Sequence, residues 1–268
     1  MASKAVRTVT KRPLLIGMVH ARALPGSPRA GRPVEEIVRL AVQEAEVLAG
    51  EGFGGIIVEN MHDTPYVNGP HAPETVAAMT RVVAAVRDAA PGVMLGVQVL
   101  SMGHMEALAI AHACGGDFIR VENFAFAHVA DEGLLAEAAA GPLLRARRRI
   151  GAEGIKLFCD VKKKHASHAI TADLPIADAV RGYEFFGADG VIVTGAHTGI
   201  ATDPSDVRDA ANATRLPAWV GSGVTPESVA ELGGLADGLI VGSYLKRGGR
   251  WDGPLDRARC RALVRAAG

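Results

Sequence analysis

The feature that most restricts this chain is a repeated alternation. Short, apolar, β-branched runs are followed by longer amphipathic stretches, over and over along its 268 residues. The runs are Leu14–His20, Gly55–Asn60, Met94–Leu100, Phe118–Asn123, Ile155–Val161, Gly190–Gly195, Ala218–Gly221 and Gly238–Gly242. Each is continuously apolar with few alternating polar residues, the pattern of a parallel strand buried on both faces. Helical patterns fill the gaps. Pro33-Val-Glu-Glu-Ile37 opens the first, with proline at the first helical position and acids in the first turn, and Gly50 and Gly52 end it. Further helices are expected from Pro73, over Met105–Ala113, and over Asp131–Ile150 with a break or kink at Pro142. The remainder cover Pro175–Phe186, Pro204–Ala213, Pro226–Leu232 and Leu255–Ala266. Thr225-Pro226-Glu227 reads as a capped helix start.

Eight strand–helix units in a chain of this length predict a single (β/α)8 barrel. The alternative is a doubly wound open sheet. That fold usually carries a GxGxxG turn after its first strand, whereas His20-Ala-Arg-Ala-Leu-Pro25 follows here. No linker or low-complexity segment interrupts the pattern. Residues 1–268 therefore read as one domain, with residues 1–12 a loosely ordered basic extension.

Composition narrows the function classes. With 29 Lys+Arg against 29 Asp+Glu the formal charge is zero, which argues against a nucleic-acid partner. No apolar run approaches the ~20 residues of a transmembrane helix. The run after the basic start, Leu14 to Val19, is shorter than the roughly 7–15 residues of a secretory signal. Cys114, Cys159 and Cys260 form no CxxC pair, which fits free thiols in a reducing compartment, and a cytoplasmic protein is expected.

A barrel of this kind builds its site at the C-terminal ends of the strands. Those ends carry His20, Glu59-Asn60, Gln98, Glu122-Asn123, Asp160, Thr194-Gly195, Gly221-Ser222-Gly223 and Gly242-Ser243. A polar rim serves solubility in any barrel. Carboxylates at three strand ends, Glu59, Glu122 and Asp160, are costly to crowd unless a cation or ligand compensates. The paired glycine–serine turns of the last two strands suit a phosphate, since small residues let backbone N–H groups approach an anion, and the helix beginning near Thr225 would add its positive end. His20, Asn60, Gln98, Thr194 and Gly195 are the expected accompanying substrate contacts.

After the fifth run comes Asp160-Val-Lys162-Lys163-Lys164-His165-Ala-Ser167-His168. Lysine runs are commonly solvated surface, but this one sits on the rim. Strand alternation puts Lys156, Phe158, Asp160 and Lys162 on one side and Cys159 on the other, although Lys156 fits equally well as a barrel-interior residue paired with a strand-end acid. A lysine near an acid can form a Schiff base or stabilise an enolate or phosphate, and His165 or His168 can move protons near neutral pH. Glu59, Glu122, Asp160, Lys162, Lys164 and His165 are thus the catalytic candidates. Glu59, Asp63 and Asp160 form a candidate oxygen set for Mg2+, although no cofactor is required by the pattern. The loop Ala21–Arg32, with Leu24-Pro25-Gly26-Ser27-Pro28, reads as a shaped rim, and His197 and Thr198 as further polar contacts.

These motifs resemble those of the BtpA/SgcQ family of barrel proteins. The matching stretches are Met18-Val-His20 with Leu24-Pro-Gly-Ser-Pro28, Ile56-Ile-Val-Glu-Asn60 with Asp63-Thr-Pro65, and Asp117-Phe-Ile-Arg-Val121. Asp160-Val161 with Lys164-His165, Val193-Thr-Gly195 with Thr198-Gly199, Gly221-Ser-Gly-Val224, and Ile240-Val-Gly-Ser243 with Lys246 continue the match. The resemblance implies a barrel of the ribulose-phosphate-binding type. The family takes its name from a cyanobacterial member needed for photosystem I accumulation, and other members look like sugar-metabolism proteins. Gln98-Val-Leu-Ser-Met-Gly103 departs from the commoner Asn-Val-Leu-Arg-Asn-Asp at the third strand end.

The expected function is an enzyme acting on a small phosphorylated metabolite, a phosphosugar or nucleotide-derived compound, by isomerase, epimerase or lyase chemistry. A non-catalytic assembly or regulatory factor and a metal-assisted phosphohydrolase are the alternatives. Self-association into a homo-oligomer is expected of such barrels.

Overall fold

A computed structural model describes residues 12–195 and 201–268. Residues 1–11 of the basic extension and the His197–Thr198 pair lie outside the described residues. Eight parallel strands close into a barrel: β1 (Leu14–His20), β2 (Gly55–Glu59), β3 (Met94–Gln98), β4 (Phe118–Val121), β7 (Lys156–Val161), β9 (Gly190–Val193), β10 (Ala218–Val220) and β11 (Gly238–Val241). The ring runs in chain order, and β1 closes it against β11 with Leu14 opposite Gly238.

Helices α1 (Val34–Glu51), α2 (Pro73–Ala89), α3 (His104–Ala113), α4 (Ala140–Arg149), α5 (Ile176–Phe185), α6 (Pro204–Ala213), α7 (Val229–Gly233) and α8 (Arg257–Ala266) follow the successive barrel strands. Helix α1 shows why these segments are helical. It buries Ile37, Ala41, Ala45 and Leu48 at helical spacing and stops at Gly52, whose φ of 96° only glycine adopts freely. Gly17 on β1 lets α1 come close, because a Cβ there would stand 2.5 Å from Leu48.

Strand alternation divides the core in two. Outward-facing residues such as Leu15, Val19, Val58 and Cys159 pack against the helices, and Ile16, Met18, Ile57, Phe118, Phe158, Ile192, Trp219 and Ile240 form a separate cluster inside the barrel. Phe158 stacks on Trp219 at 3.5 Å between ring centroids, and Phe118 meets both edge-on. Room for these rings comes from glycines on neighbouring strands. A Cβ at Gly96 would lie 2.3 Å from Phe118, one at Gly190 2.3 Å from Phe158, and one at Gly238 2.7 Å from Trp219. The barrel is therefore plugged below its mouth, and the polar strand ends sit on an apolar floor.

Three details differ from the pattern-based expectation. Asp131–Ile150 is not one helix. Residues β5 (His128–Ala130), β6 (Gly133–Leu135) and β8 (Ala166–Ser167) form a small antiparallel sheet over the mouth, in the order β6-β5-β8. Helix α4 then starts at Ala140, so Pro142 falls in its first turn, where no backbone N–H is needed and no kink results. At the seventh unit Thr225 does not cap a helix. Helix α7 begins at Val229 after Ser228 and has five residues, too short to bring a helix end to a phosphate.

Candidate functional site

The mouth of the barrel holds a cavity of two lobes. The first, of about 200 Å3, is bounded by Gly221–Thr225, Gly242–Tyr244 and Arg259. The second, of about 220 Å3, is bounded by Gln98, Glu122, Glu132, Lys163, Tyr66 and Trp251. Glu59, Met61, Arg120 and Lys164 border both and join them.

In the first lobe, the two glycine–serine turns stand side by side because β10 and β11 are neighbours. Gly223 has φ of 67°, which needs glycine, and Gly221 must be small because a Cβ would lie 2.8 Å from Ile192 and 3.4 Å from Arg120 Nη2. Arg259 reaches this lobe from α8, with its guanidinium 4.3 Å above the Tyr244 ring and its Nε donating to the Tyr244 carbonyl. His20 also lines it. Its Nδ1 donates to the Trp251 carbonyl at 3.0 Å, which leaves Nε2 bare toward Glu59 Oε2 at 3.7 Å. Burial, then the Lys246 ammonium, keeps His20 well below the usual histidine range, so the ring is neutral.

At the junction, Glu59 is 6% exposed and burial raises its carboxyl above the ordinary range, against the pull of Arg120 and Lys164. Lys164 is partly exposed, yet desolvation and the neighbouring Arg120 cation bring its amine down to about 8. Among the described residues no carboxylate forms an ion pair with this amine. Its backbone N–H donates to Thr194 Oγ1 at 3.0 Å, which pins the segment to β9. A desolvated amine close to neutral pH, beside a carboxyl that retains its proton more readily than usual, can attack a carbonyl or exchange protons at carbon.

Asp160 plays a different part. It is 2% exposed and grips Arg120, with Nε at 3.0 and 3.3 Å from its two oxygens and Nη2 at 3.0 Å. Lys163 is likewise spent: its Nζ lies 3.0 Å from Glu122 Oε1. Burial pushes Glu122 up, and the Lys163 ammonium more than reverses this, so the carboxylate stays ionised. Arg120 and Lys163 were not foreseen. Arg120 was legible, because it shares strand parity with Phe118 and Glu122 and is the one cation in an apolar run. Lys163 was not, because Lys162 takes a φ of 49° and breaks the alternation that would have pointed Lys162 inward.

The remaining candidates separate as follows. Gln98, Glu122, Asp160 and His165 line the second lobe, and Ser222, Gly223, Gly242 and Ser243 line the first. Lys162 faces a separate small hollow beside His128 and His168. Asn60 touches neither lobe. It bonds Asp63 Oδ2 at 2.9 Å and both backbone groups of Leu100, stapling the β2 and β3 loops. Thr194 serves the backbone, and Gly195 borders neither lobe. Lys156 is not a barrel-interior residue: it is half-exposed at the opposite end of β7, 3.5 Å from Asp189. The Glu59–Asp63–Asp160 set is not gathered. Asp63 accepts from Leu24 N at 2.7 Å and from Asn60, Asp160 is taken by Arg120, and among the described residues no three metal-ligating side chains converge. These residues do not fit a metal ion.

Fold and cavity together define a closed (β/α)8 barrel, open at the C-terminal ends of its strands. Solved structures share it. Thiamine phosphate pyrophosphorylase from Pyrococcus furiosus superposes with a TM-score of 0.57 at 14% identity over 96% of this chain and 95% of that one. Phosphoribosyl anthranilate isomerase from Thermus thermophilus gives 0.56 at 13% over 94% and 96%. The chain belongs to the BtpA family, whose model matches residues 10–268. An uncharacterized mitochondrial protein of Caenorhabditis elegans is 42% identical over 93% of this chain and 91% of its own length. The photosystem I biogenesis protein BtpA of Synechocystis is 37% identical over 94% and 87%. Among the described residues no helix is long and apolar enough to cross a membrane.

Proposed function

We propose that this BtpA-family barrel is an enzyme that binds a small phosphorylated metabolite and performs acid–base or imine chemistry on it. The observation that carries the reading is the continuity of the two lobes through Glu59 and Lys164. A phosphate seated on the Gly221–Gly223 and Gly242–Ser243 turns, with Arg259 beside it, extends the rest of its molecule directly over the Lys164 amine. Lys164 supplies the nucleophile or base, Glu59 carries a proton, and Asp160 fixes the Arg120 guanidinium as a positioned donor beneath the reacting carbons. Isomerisation, epimerisation and lyase cleavage all use this set. The two barrel proteins above are named for phosphorylated compounds, which supports the class. Free cysteines fit a reducing aqueous compartment such as the cytoplasm.

The test is turnover of a panel of phosphosugars and nucleotide-derived phosphates by the wild type and by Lys164→Met. Loss of at least about 1,000-fold in kcat/KM on Lys164→Met is expected, the scale of a lost nucleophile or base. Absence of turnover of every phosphorylated compound would overturn the enzyme reading and leave a non-catalytic assembly or regulatory role, the Synechocystis relative being named for photosystem I biogenesis.

A further inference from the structure

We propose that the second lobe is a subsite for a planar nitrogen heterocycle bearing N–H donors, which makes the ligand a phosphorylated compound of the nucleotide kind. The proposal rests on the phosphate reading for the other end of the molecule.

The first observation is an unpartnered acceptor. Gln98 is 2% exposed and lines the lobe, and its Oε1 has no hydrogen-bond partner. Glu132 Oε2 is also buried without a hydrogen bond, 3.9 Å from Lys163 Nζ. Buried acceptors left unsatisfied are uncommon, and a ligand that donates to them removes the cost. The second observation is shape. Tyr66, Trp251, Met61 and Leu100 supply apolar and aromatic surface around this polar base, and the Tyr66 hydroxyl is already spent on the Met61 carbonyl at 2.9 Å. Aromatic and apolar lining beside unsatisfied acceptors suits a ring with edge N–H groups better than a polyol, whose hydroxyls point in all directions.

The third observation is polarity along the cavity. The first lobe brings Arg259, Arg120 and Lys164 against Glu59 alone. The second brings Glu59, Glu122, Asp131, Glu132 and Asp160 against Arg120, Lys163 and Lys164. Anion-binding and donor-binding ends are thus set in one continuous space. About 220 Å3 accommodates one or two fused rings.

The chain makes the experiment simple. It has two tryptophans, Trp219 on the barrel floor and Trp251 in the lobe, so ring binding is read as a change in Trp251 emission. Titrations use CMP, AMP, UMP, free cytosine, free adenine, ribose 5-phosphate and inorganic phosphate. CMP or AMP, which carry an exocyclic amine, are expected to bind at least about tenfold tighter than ribose 5-phosphate and to alter Trp251 emission, one well-made hydrogen bond to an orphaned acceptor being worth about that factor. Gln98→Leu is expected to abolish this preference and leave ribose 5-phosphate within about twofold. Should Gln98→Leu fail to fold, Trp251→Leu at the rim, with affinities read by isothermal calorimetry because the reporter is gone, is expected to do the same. Ribose 5-phosphate binding as tightly as every nucleotide, or a nucleotide preference untouched by both variants, overturns the heterocycle subsite and spares the phosphate reading. Binding of free cytosine or adenine with no response to any phosphate compound overturns the phosphate reading instead. No binding at all overturns both.

Discussion

Lys164 and Asp160 are four residues apart and both were expected to be catalytic, yet they sit in opposite energetic states. The lysine amine is desolvated and unpaired by any described carboxylate, with its affinity for protons lowered to about 8. An unfolded chain holds that proton up to about 10.4. Between the two values the unfolded state binds more protons than the folded one, so stability rises with pH in that window and the protonated lysine is a burden below it. Lys164→Met is therefore expected to stabilise the protein by about 1–2 kcal/mol at pH 7, discounted for its partial exposure, and this gain should shrink from pH 8 toward pH 10. Urea titrations at several pH values check this, and a constant difference would contradict the assignment. Asp160→Ala should do the reverse, costing about 3–5 kcal/mol because it leaves Arg120 buried without a counter-charge. Loss of activity in that variant is thus no evidence of catalysis. Types and rim positions of both residues were legible in the sequence. Which one is spent on a neighbour was not, because pairing depends on atoms brought together from separate strands.

At the scale of elements, the strand pattern was legible almost to the residue, and the loops were not. Runs such as Leu14–His20 and Gly238–Val241 announce themselves because burial on both faces leaves one solution for their composition. The stretch after β4 was misjudged as helix. Its small sheet draws on β8 from another loop, and such long-range pairing leaves little local pattern. Glycines inside the strands carry a consequence of their own. Gly96→Ala is expected to destabilise by about 1–3 kcal/mol, since the new methyl meets the Phe118 ring, and Phe118→Leu in the same chain should recover part of that loss. Equilibrium unfolding of the two single variants and the double variant measures it. Additive losses would show that the ring and the glycine are not matched.

For the whole molecule, zero net charge conceals an uneven distribution. The lobe at the β10–β11 side of the mouth sets Arg120, Lys164 and Arg259 against Glu59 alone, and the other lobe carries five carboxylates against three cations. Anion binding to the folded state alone should raise its stability. Inorganic phosphate at a hundredfold excess over its Kd is expected to add about 2.7 kcal/mol, a Tm rise of several degrees for a chain of this size. Arg259→Gln should reduce the shift, and chloride at equal ionic strength should not reproduce it. A thermal scan with the two salts and the variant decides the matter, and equal shifts in phosphate and chloride would remove the anion site.

By itself the sequence determined the barrel, the rim on which the polar residues stand, and the two glycine–serine turns. These follow from local periodicity and from the small number of ways in which buried strands and amphipathic helices can pack. Tertiary structure alone decided that Arg120 takes Asp160, that Lys163 takes Glu122, and that Lys164 and Glu59 remain at the junction of two lobes. The reason is physical. Desolvation and ion pairing depend on distances between side chains far apart in the chain, and periodicity along the chain carries no record of those distances.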